Sequence, residues 1–251
     1  MSEEREMDTV KLKKVARIIL IIVVVLSLLL CGGFSYLYFN GLSGMINTTE
    51  AREGQTKIAC VGDSITYGHG ITNWPKNNYP TLLQDLLGET YHVNSYGVSG
   101  RAVQPDSDQP YTALPHYQES LTYGADIVVF MMGTNDSKPE NWHGADAFKE
   151  DLLALLDSYG DTEIILCTPA ASFFVDGQTE GLARHDIQPA VVEEIAQIVR
   201  DVAAECGYTL IDIHALTLEH PEWFAKDGIH PSNDGAASIA QAVKTVITAT
   251  E

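Results

Sequence analysis

The run Asp126–Met132 contains six successive apolar residues, and this feature constrains the fold most strongly. A strand with one face in water alternates apolar and polar residues, whereas a strand covered on both faces need not. Four other short runs are similarly apolar or rich in residues that favour strands: Lys57–Val61, Tyr91–Asn94, Glu163–Thr168 and Thr209–Ile213. Together these five runs predict a buried parallel sheet.

Segments with apolar residues at helical spacing lie between these runs. The predicted helices are Pro80–Leu87, Asp146–Tyr159, Pro189–Cys206 and Asn233–Thr248. Alternating strands and helices predict right-handed crossovers and an α/β fold, a three-layer α/β/α sandwich around a five-stranded parallel sheet. Because ligands bind beyond the carboxyl ends of such strands, we expect the functional residues in the loops that follow them.

A charge-free apolar run, Ile18–Phe39, precedes the domain, and basic residues flank its N-terminal side. A helix of about 20 apolar residues crosses a membrane, and basic flanks stay in the cytoplasm. We therefore expect a basic cytoplasmic tail at residues 1–17, a transmembrane signal anchor at 18–39 and a linker at 40–55. The large domain would then occupy residues 56–251, outside the cytoplasm.

Two alternatives to an anchor remain open for this segment. A cleavable signal peptide usually has an apolar region of about 7–15 residues, shorter than this one. Lipidation at Cys31 is the other alternative, but Leu30 stands before it, where lipoprotein signals have a small residue. Length and flanking charge favour the anchor.

The formal net charge of −19 is concentrated in the domain, because the segment before residue 41 carries +1. Such a surface repels phosphate backbones, so no nucleic-acid partner is expected. The donor residues show no close spacing typical of a metal site, and neither a metal nor another cofactor is predicted. Cys60 and Cys167 lie in strand-like runs and are expected to be buried small hydrophobes.

Polar, glycine-containing segments follow the first three predicted strands, and another precedes the last helix. These segments are Gly62-Asp63-Ser64, Ser99-Gly100, Gly133-Thr134-Asn135-Asp136 and Asp227-Gly228-Ile229-His230-Pro231. Each alone is ordinary loop chemistry, and a serine after a strand is commonly a helix N-cap. Their order and their positions at strand ends favour a functional site.

In these four segments the sequence resembles the SGNH (GDSL-like) hydrolases, over roughly residues 57–250. The resemblance implies a flavodoxin-like SGNH fold with Ser64 as nucleophile, His230 as base and Asp227 as the group that orients it. It also implies an oxyanion hole made of the Ser64 and Gly100 amides and the Asn135 side chain.

Within this family the sequence is most similar to the bacterial carbohydrate (sialate-type) O-acetylesterase-like branch. The similarity implies an esterase that removes short acyl groups, chiefly O-acetyl, from a small-molecule or glycan ester, and the expected anchor would make it membrane-bound and extracytoplasmic. A lysophospholipase or thioesterase acting on lipid acyl groups is one alternative. A non-enzymatic binding module on the same fold is another, although such a module has no need of the full set of site residues.

The other histidines are expected to lie outside the chemistry. His69 would lie along the first helix or loop and turn away from Ser64, and no role is evident for His214. Surface or packing positions are expected for His92, His116, His143, His185 and His220. Phe173 and Phe174 either border the substrate pocket or pack in the core, and both interpretations stay open.

The topology can be tested with protease added to intact cells that express the full chain. Because basic residues flank the N-terminal side of Ile18–Phe39, we expect digestion of the domain and survival of a membrane-embedded stub. Complete protection of a soluble product would contradict the predicted orientation.

Overall fold

The structure is a computed structural model that describes residues 2–37 and 48–249. The N-terminal helix and the sheet-containing domain form two separate compact units. The end of the predicted anchor, at 38–39, and the linker residues 40–47 lie outside the described residues.

The N-terminal unit is one helix, α1 (Ser2–Leu37). Its segment Lys13–Gly33 has a mean hydropathy of 2.9 and is long and apolar enough to cross a membrane. A signal sequence near an N-terminus has the same properties, so length and composition agree with the predicted span without distinguishing the two.

The domain is built on a five-stranded sheet in which every neighbouring pair is parallel. The strands are β1 (Thr56–Gly62), β2 (Tyr91–Gly97), β3 (Ile127–Met131), β4 (Glu163–Cys167) and β5 (Thr209–Ile211). Their order is β2-β1-β3-β4-β5. The chain reverses its direction of travel across the sheet at β1, so the loops after β1 and β3 meet at the switch point where such folds bind ligands.

Helices connect the strands as the sequence predicts, with additions. They are α2 (Ser64–Tyr67), α3 (Trp74–Asn77), α4 (Tyr79–Leu87), α5 (Pro115–Thr122), α6 (Ala145–Asp157), α7 (Pro189–Cys206), α8 (Ile213–Leu218) and α9 (Asn233–Ile247). Helix α5 is not predicted from the sequence, because Tyr117 and Leu121 are the only large apolar residues on it. Gly207 ends α7 in the left-handed conformation, as expected of a C-terminal glycine.

Helices cover both faces of the sheet. On one face Ala59 and Val61 of β1 share a core with side chains of α6 and α7. On the other face Ile58 and Cys60 pack with α4 and α9. The three-layer sandwich with a five-stranded parallel sheet is therefore confirmed, and adjacent apolar positions of one strand serve opposite cores.

Burial inside this sandwich matches most of the predicted apolar stripes. Cys60 and Cys167 are buried, and burial raises the pKa of the Cys60 thiol to about 12. Helix α4 buries fewer of its apolar side chains than its apolar spacing suggests, because Leu83 is buried whereas Leu86 remains 43% exposed. Because α4 has only nine residues and packs against α9, only some of its apolar side chains are buried.

Candidate active site

Ser64 is the first residue of α2 and follows directly on β1. Asp63 caps the helix, since its Oδ1 accepts a hydrogen bond of 2.9 Å from the Ile65 amide. Gly62 permits the tight turn, because a Cβ at that position would lie 1.9 Å from Thr66 Oγ1. Ser64 thus stands at the carboxyl edge of the sheet, as predicted.

The loop that carries His230 is tied to its surroundings through the backbone. The Ala225 amide donates to the His230 carbonyl at 2.8 Å, which closes the loop on itself. The Phe173 amide donates to the Gly228 carbonyl, also at 2.8 Å. These bonds fix the histidine backbone against the segment that follows β4.

The side chains of Ser64, His230 and Asp227 form one hydrogen-bonded chain. His230 Nε2 lies 3.0 Å from Ser64 Oγ, and His230 Nδ1 lies 2.7 Å from Asp227 Oδ2. Asp227 Oδ1 accepts from the amides of Ile229 and His230 at 2.9 and 3.0 Å. Partial burial favours its neutral form, but the bonds from the His230 side chain and the two amides outweigh this and lower the pKa of Asp227 well below its usual range.

Gly100 and Asn135 line the same cavity of about 320 Å³ as Ser64 and His230. Gly100 follows β2 with a φ of 80°, a left-handed conformation that favours glycine. Asn135 begins a short turn after β3, and its Nδ2 donates to the Arg101 carbonyl at 3.1 Å. The same nitrogen lies 3.5 Å from Asp63 Oδ2, a weak contact that an incoming oxygen can replace.

Asp136 holds the loop that contains Gly100. Its Oδ1 accepts from the amides of Val103 and Gln104, each at 2.9 Å. Burial raises the pKa of Asp136 to about 7 and that of the neighbouring Asp63 to about 6, although the amides that they accept from lower both pKa values. Two buried carboxyl groups therefore brace the loops after β1, β2 and β3.

Two histidines lie closer to the site than predicted. The ring of His69 packs against the ring of His230 with centroids 4.5 Å apart, so the expectation that it turns away was wrong. Burial, followed by the neighbouring His230 and His185, lowers the pKa of His69. His185 was expected at the surface or in packing, but its ring centroid lies 5.5 Å from that of His230, and both histidines line the cavity.

His185 also approaches the carboxylate of the hydrogen-bonded chain. Its Nε2 lies 3.6 Å from Asp227 Oδ2. The donor atoms of His185, Asp227 and His230 all fall within 4.8 Å of one another. Spacing along the chain does not show this grouping, because it depends on a left-handed turn at His185.

Two further histidines and the two phenylalanines pack or form hydrogen bonds within the domain. His92 is hydrogen-bonded to Thr49 and Tyr123, and His214 is buried. Phe173 packs edge-on against Phe224 with centroids 5.0 Å apart, and Phe174 packs against the small buried cluster around Ile187. The packing interpretation of the two phenylalanines is therefore the better one.

Comparison with known proteins finds a family model and relatives that are similar to this chain. Residues 60–237 match the model of the GDSL-like lipase/acylhydrolase family. An acetylxylan esterase of Xylanibacter ruminicola is 32% identical over 217 residues, which cover 78% of this chain but only 44% of that protein. The chain thus spans less than half the length of this relative.

Solved structures share the fold at low identity. A carbohydrate acetylesterase family member from Sinorhizobium meliloti superimposes with a TM-score of 0.65 at 20% identity, covering 78% of this chain and 98% of that one. A lipase/acylhydrolase from Enterococcus faecalis gives 0.64 at 22% identity, covering 78% and 97%. At these identities the likeness establishes the fold.

The buried carboxyl groups make a prediction about stability. Unfolded aspartates titrate near about 3.9, so between that pH and about 7 the folded state binds more protons at Asp63 and Asp136 than the unfolded state does. The contribution of these groups to the free energy of unfolding should therefore fall as pH rises through this window, by up to about 1.4 kcal/mol per pH unit for each proton.

Urea unfolding at several pH values between about 4 and 8 measures this slope. Asp136→Asn keeps an acceptor for the two amides but cannot ionise, so the slope should flatten. Asp146→Asn, at the exposed start of α6, serves as the control and should not change it. An identical slope in Asp136→Asn and the wild type would contradict the assignment.

Proposed function

This chain belongs to the GDSL-like lipase/acylhydrolase family, and we propose that it hydrolyses short acyl esters with Ser64 as nucleophile. The single observation that carries the proposal is the 3.0 Å contact between Ser64 Oγ and His230 Nε2. A serine hydroxyl becomes an effective nucleophile when a base at this distance takes its proton.

Each member of the hydrogen-bonded chain has a role in this proposal. Asp227 accepts a hydrogen bond from the Nδ1–H of His230, which holds the tautomer whose Nε2 is free to accept the proton of Ser64 as Oγ attacks the ester carbonyl. His230 then gives that proton to the departing alcohol. Water hydrolyses the acyl-serine by the same sequence, with His230 again as base. The depressed pKa of Asp227 keeps it ionised to stabilise the imidazolium that forms twice in each turnover.

The negative oxygen of the tetrahedral intermediate needs donors that are already in place. The Ser64 amide stands at the first helical residue, where no intrahelical acceptor exists. Gly100 lines the same cavity as Ser64, and the Asn135 side chain can exchange its weak 3.5 Å contact with Asp63 for a hydrogen bond to the oxyanion. We assign these three groups as the oxyanion hole.

The substrate is proposed to be an O-acetyl ester of a carbohydrate. A cavity of about 320 Å³ is at the small end of ligand pockets, which suits a short acyl group. The polar side chains of His69, His185, Asp186 and Lys138 also line it and suit an alcohol rich in hydroxyl groups. The acetylxylan esterase relative supports the same substrate class.

The location of the enzyme is part of the proposal. The apolar segment Lys13–Gly33 and its basic N-terminal flank support a single-pass anchor with the domain outside the cytoplasm. Such an arrangement brings the site to extracellular or cell-wall glycans.

Steady-state kinetics of site variants test the mechanism. Ser64→Ala and His230→Ala should each lower kcat by roughly 10⁴-fold or more, because the attack needs both groups. Asp227→Ala should be damaging but milder, and the effects should not add. Ser238→Ala, which removes a partly buried serine on α9 outside the site, is the matched control and should keep wild-type kcat. Near-native activity in Ser64→Ala would refute the assignment.

Substrate preference is tested with nitrophenyl esters of increasing acyl length, followed by acetylated sugars. Because the cavity is small, kcat/KM should be highest for acetyl and fall at least about tenfold by octanoyl. A steady rise with chain length would favour the lipid acyl hydrolase instead. A purified, folded protein without turnover on any ester would favour the binding module.

A further inference from the structure

We propose that the cavity contains an inhibitory site for a divalent transition-metal cation, with Zn²⁺ as the probe, formed by His185, Asp227 and His230. The binding of the cation is independent of the proposed function, whereas its inhibitory effect rests on it. The site would act as a switch, because the ion takes two of the groups that activate Ser64.

The donor atoms are already grouped around one point. His185 Nε2 lies 3.6 Å from Asp227 Oδ2, which itself lies 2.7 Å from His230 Nδ1. Imidazole nitrogens and a carboxylate oxygen are preferred zinc ligands, and tetrahedral bonds of about 2.0–2.2 Å hold donors about 3.4 Å apart. All three donor atoms lie within 4.8 Å of one another, so shifts of about 1 Å close them around an ion.

His185 is the ligand whose side chain is freest to move toward the other two donors. Its side chain is 55% exposed, whereas that of His230 is 8% exposed and held by hydrogen bonds at both ring nitrogens. The His185 ring can therefore move inward, while His230 Nδ1 and Asp227 Oδ2 open from 2.7 Å to the roughly 3.4 Å that an ion bound to both requires. Solvent supplies a fourth ligand through the open side of the cavity.

The backbone at His185 is held in a costly conformation that presents the ring to the site. His185 and Asp186 both have a φ of 59°, a left-handed conformation that is energetically unfavourable for residues other than glycine. The flanking residues hold this turn, because the Ala183 amide donates to the Ile187 carbonyl at 2.7 Å and Ile187 is buried. Strain of this kind clusters at ligand sites.

Binding of the ion blocks the proposed chemistry in a defined way. The cation forms bonds to His230 Nδ1 and Asp227 Oδ2, and the proton that Nδ1 carried moves through solvent to Nε2. The neutral imidazole then holds its one proton on Nε2, so Nε2 can only donate to Ser64 Oγ and no longer accepts the Ser64 proton.

The first experiment measures binding without activity. Co²⁺ is titrated into the full-length Ser64→Ala chain in detergent, and binding is followed by visible absorption and calorimetry. We expect one ion per chain. Adding His185→Asn should weaken binding at least tenfold, and Asn is chosen because it tolerates the left-handed backbone.

The matched control is His220→Asn in the same background. His220 is also exposed and its Nδ1 lies 2.8 Å from a carboxylate oxygen of Glu222, but this pair has no third donor in the described part of the chain that would complete such a group. This variant should bind Co²⁺ as tightly as its parent. Equal affinity in the His185→Asn protein, or no bound ion in the parent, would overturn the proposal.

The second experiment measures inhibition of the otherwise unmodified enzyme by Zn²⁺. Acetyl ester hydrolysis should fall by more than tenfold and return when the ion is chelated, and His185→Asn should require at least tenfold more Zn²⁺ for half-inhibition. Binding at His185 without inhibition would overturn the switch. Since the first experiment uses a protein without Ser64, an error in the proposed catalytic mechanism leaves its result decisive for the metal site.

Discussion

The hydrogen bond between Ser64 and His230 joins residues that are 166 positions apart in the chain, and the arrangement of the domain serves to make it. Ser64 is held at the end of β1, between β2 and the central strand β3, whereas His230 comes from the loop before the last helix. Because both side chains are buried, neither can move to restore the hydrogen bond when the other is displaced. The bond therefore depends on α9 packing correctly on the sheet face that also holds α4.

Buried carboxyl groups are the second constraint. Asp63 caps the helix that starts at Ser64, and Asp136 holds two amides of the loop after Gly100. Both are held in surroundings that disfavour their charge, which raises the pKa of each. Burial of these two acidic groups lowers the stability of the fold. Their hydrogen bonds, however, hold together the three loops that carry Ser64, Gly100 and Asn135.

The sequence predicts the features that depend on local patterns. Double-sided apolar runs such as Asp126–Met132 predict the buried parallel sheet. The resemblance to the SGNH hydrolases implies the pairing of Asp227 with His230, and their three-residue spacing puts both on one loop. The positions of Ser64, Gly100 and Asn135 follow from their places after successive parallel strands, whose carboxyl ends share one edge.

What the sequence does not predict depends on irregular backbone and on distant packing. His185 reaches Asp227 only because His185 and Asp186 are left-handed, a conformation that only a small fraction of histidines and aspartates adopt. His69 meets His230 because the chain turns back after the four-residue helix α2, whose length the pattern does not reveal. Helix α5 was missed since its exposed side dominates its composition.

The central claim is that Ser64 carries the acyl group during turnover. Rapid-quench mass spectrometry of the enzyme mixed with an activated acetyl ester tests it most directly, because the acyl-enzyme is a covalent species that peptide mapping can place. The account predicts one acetyl group per chain, located on the peptide that contains Ser64 and formed as fast as the first turnover. An acetyl group on another residue, or turnover at full rate with no acylated enzyme at any time point, would contradict it.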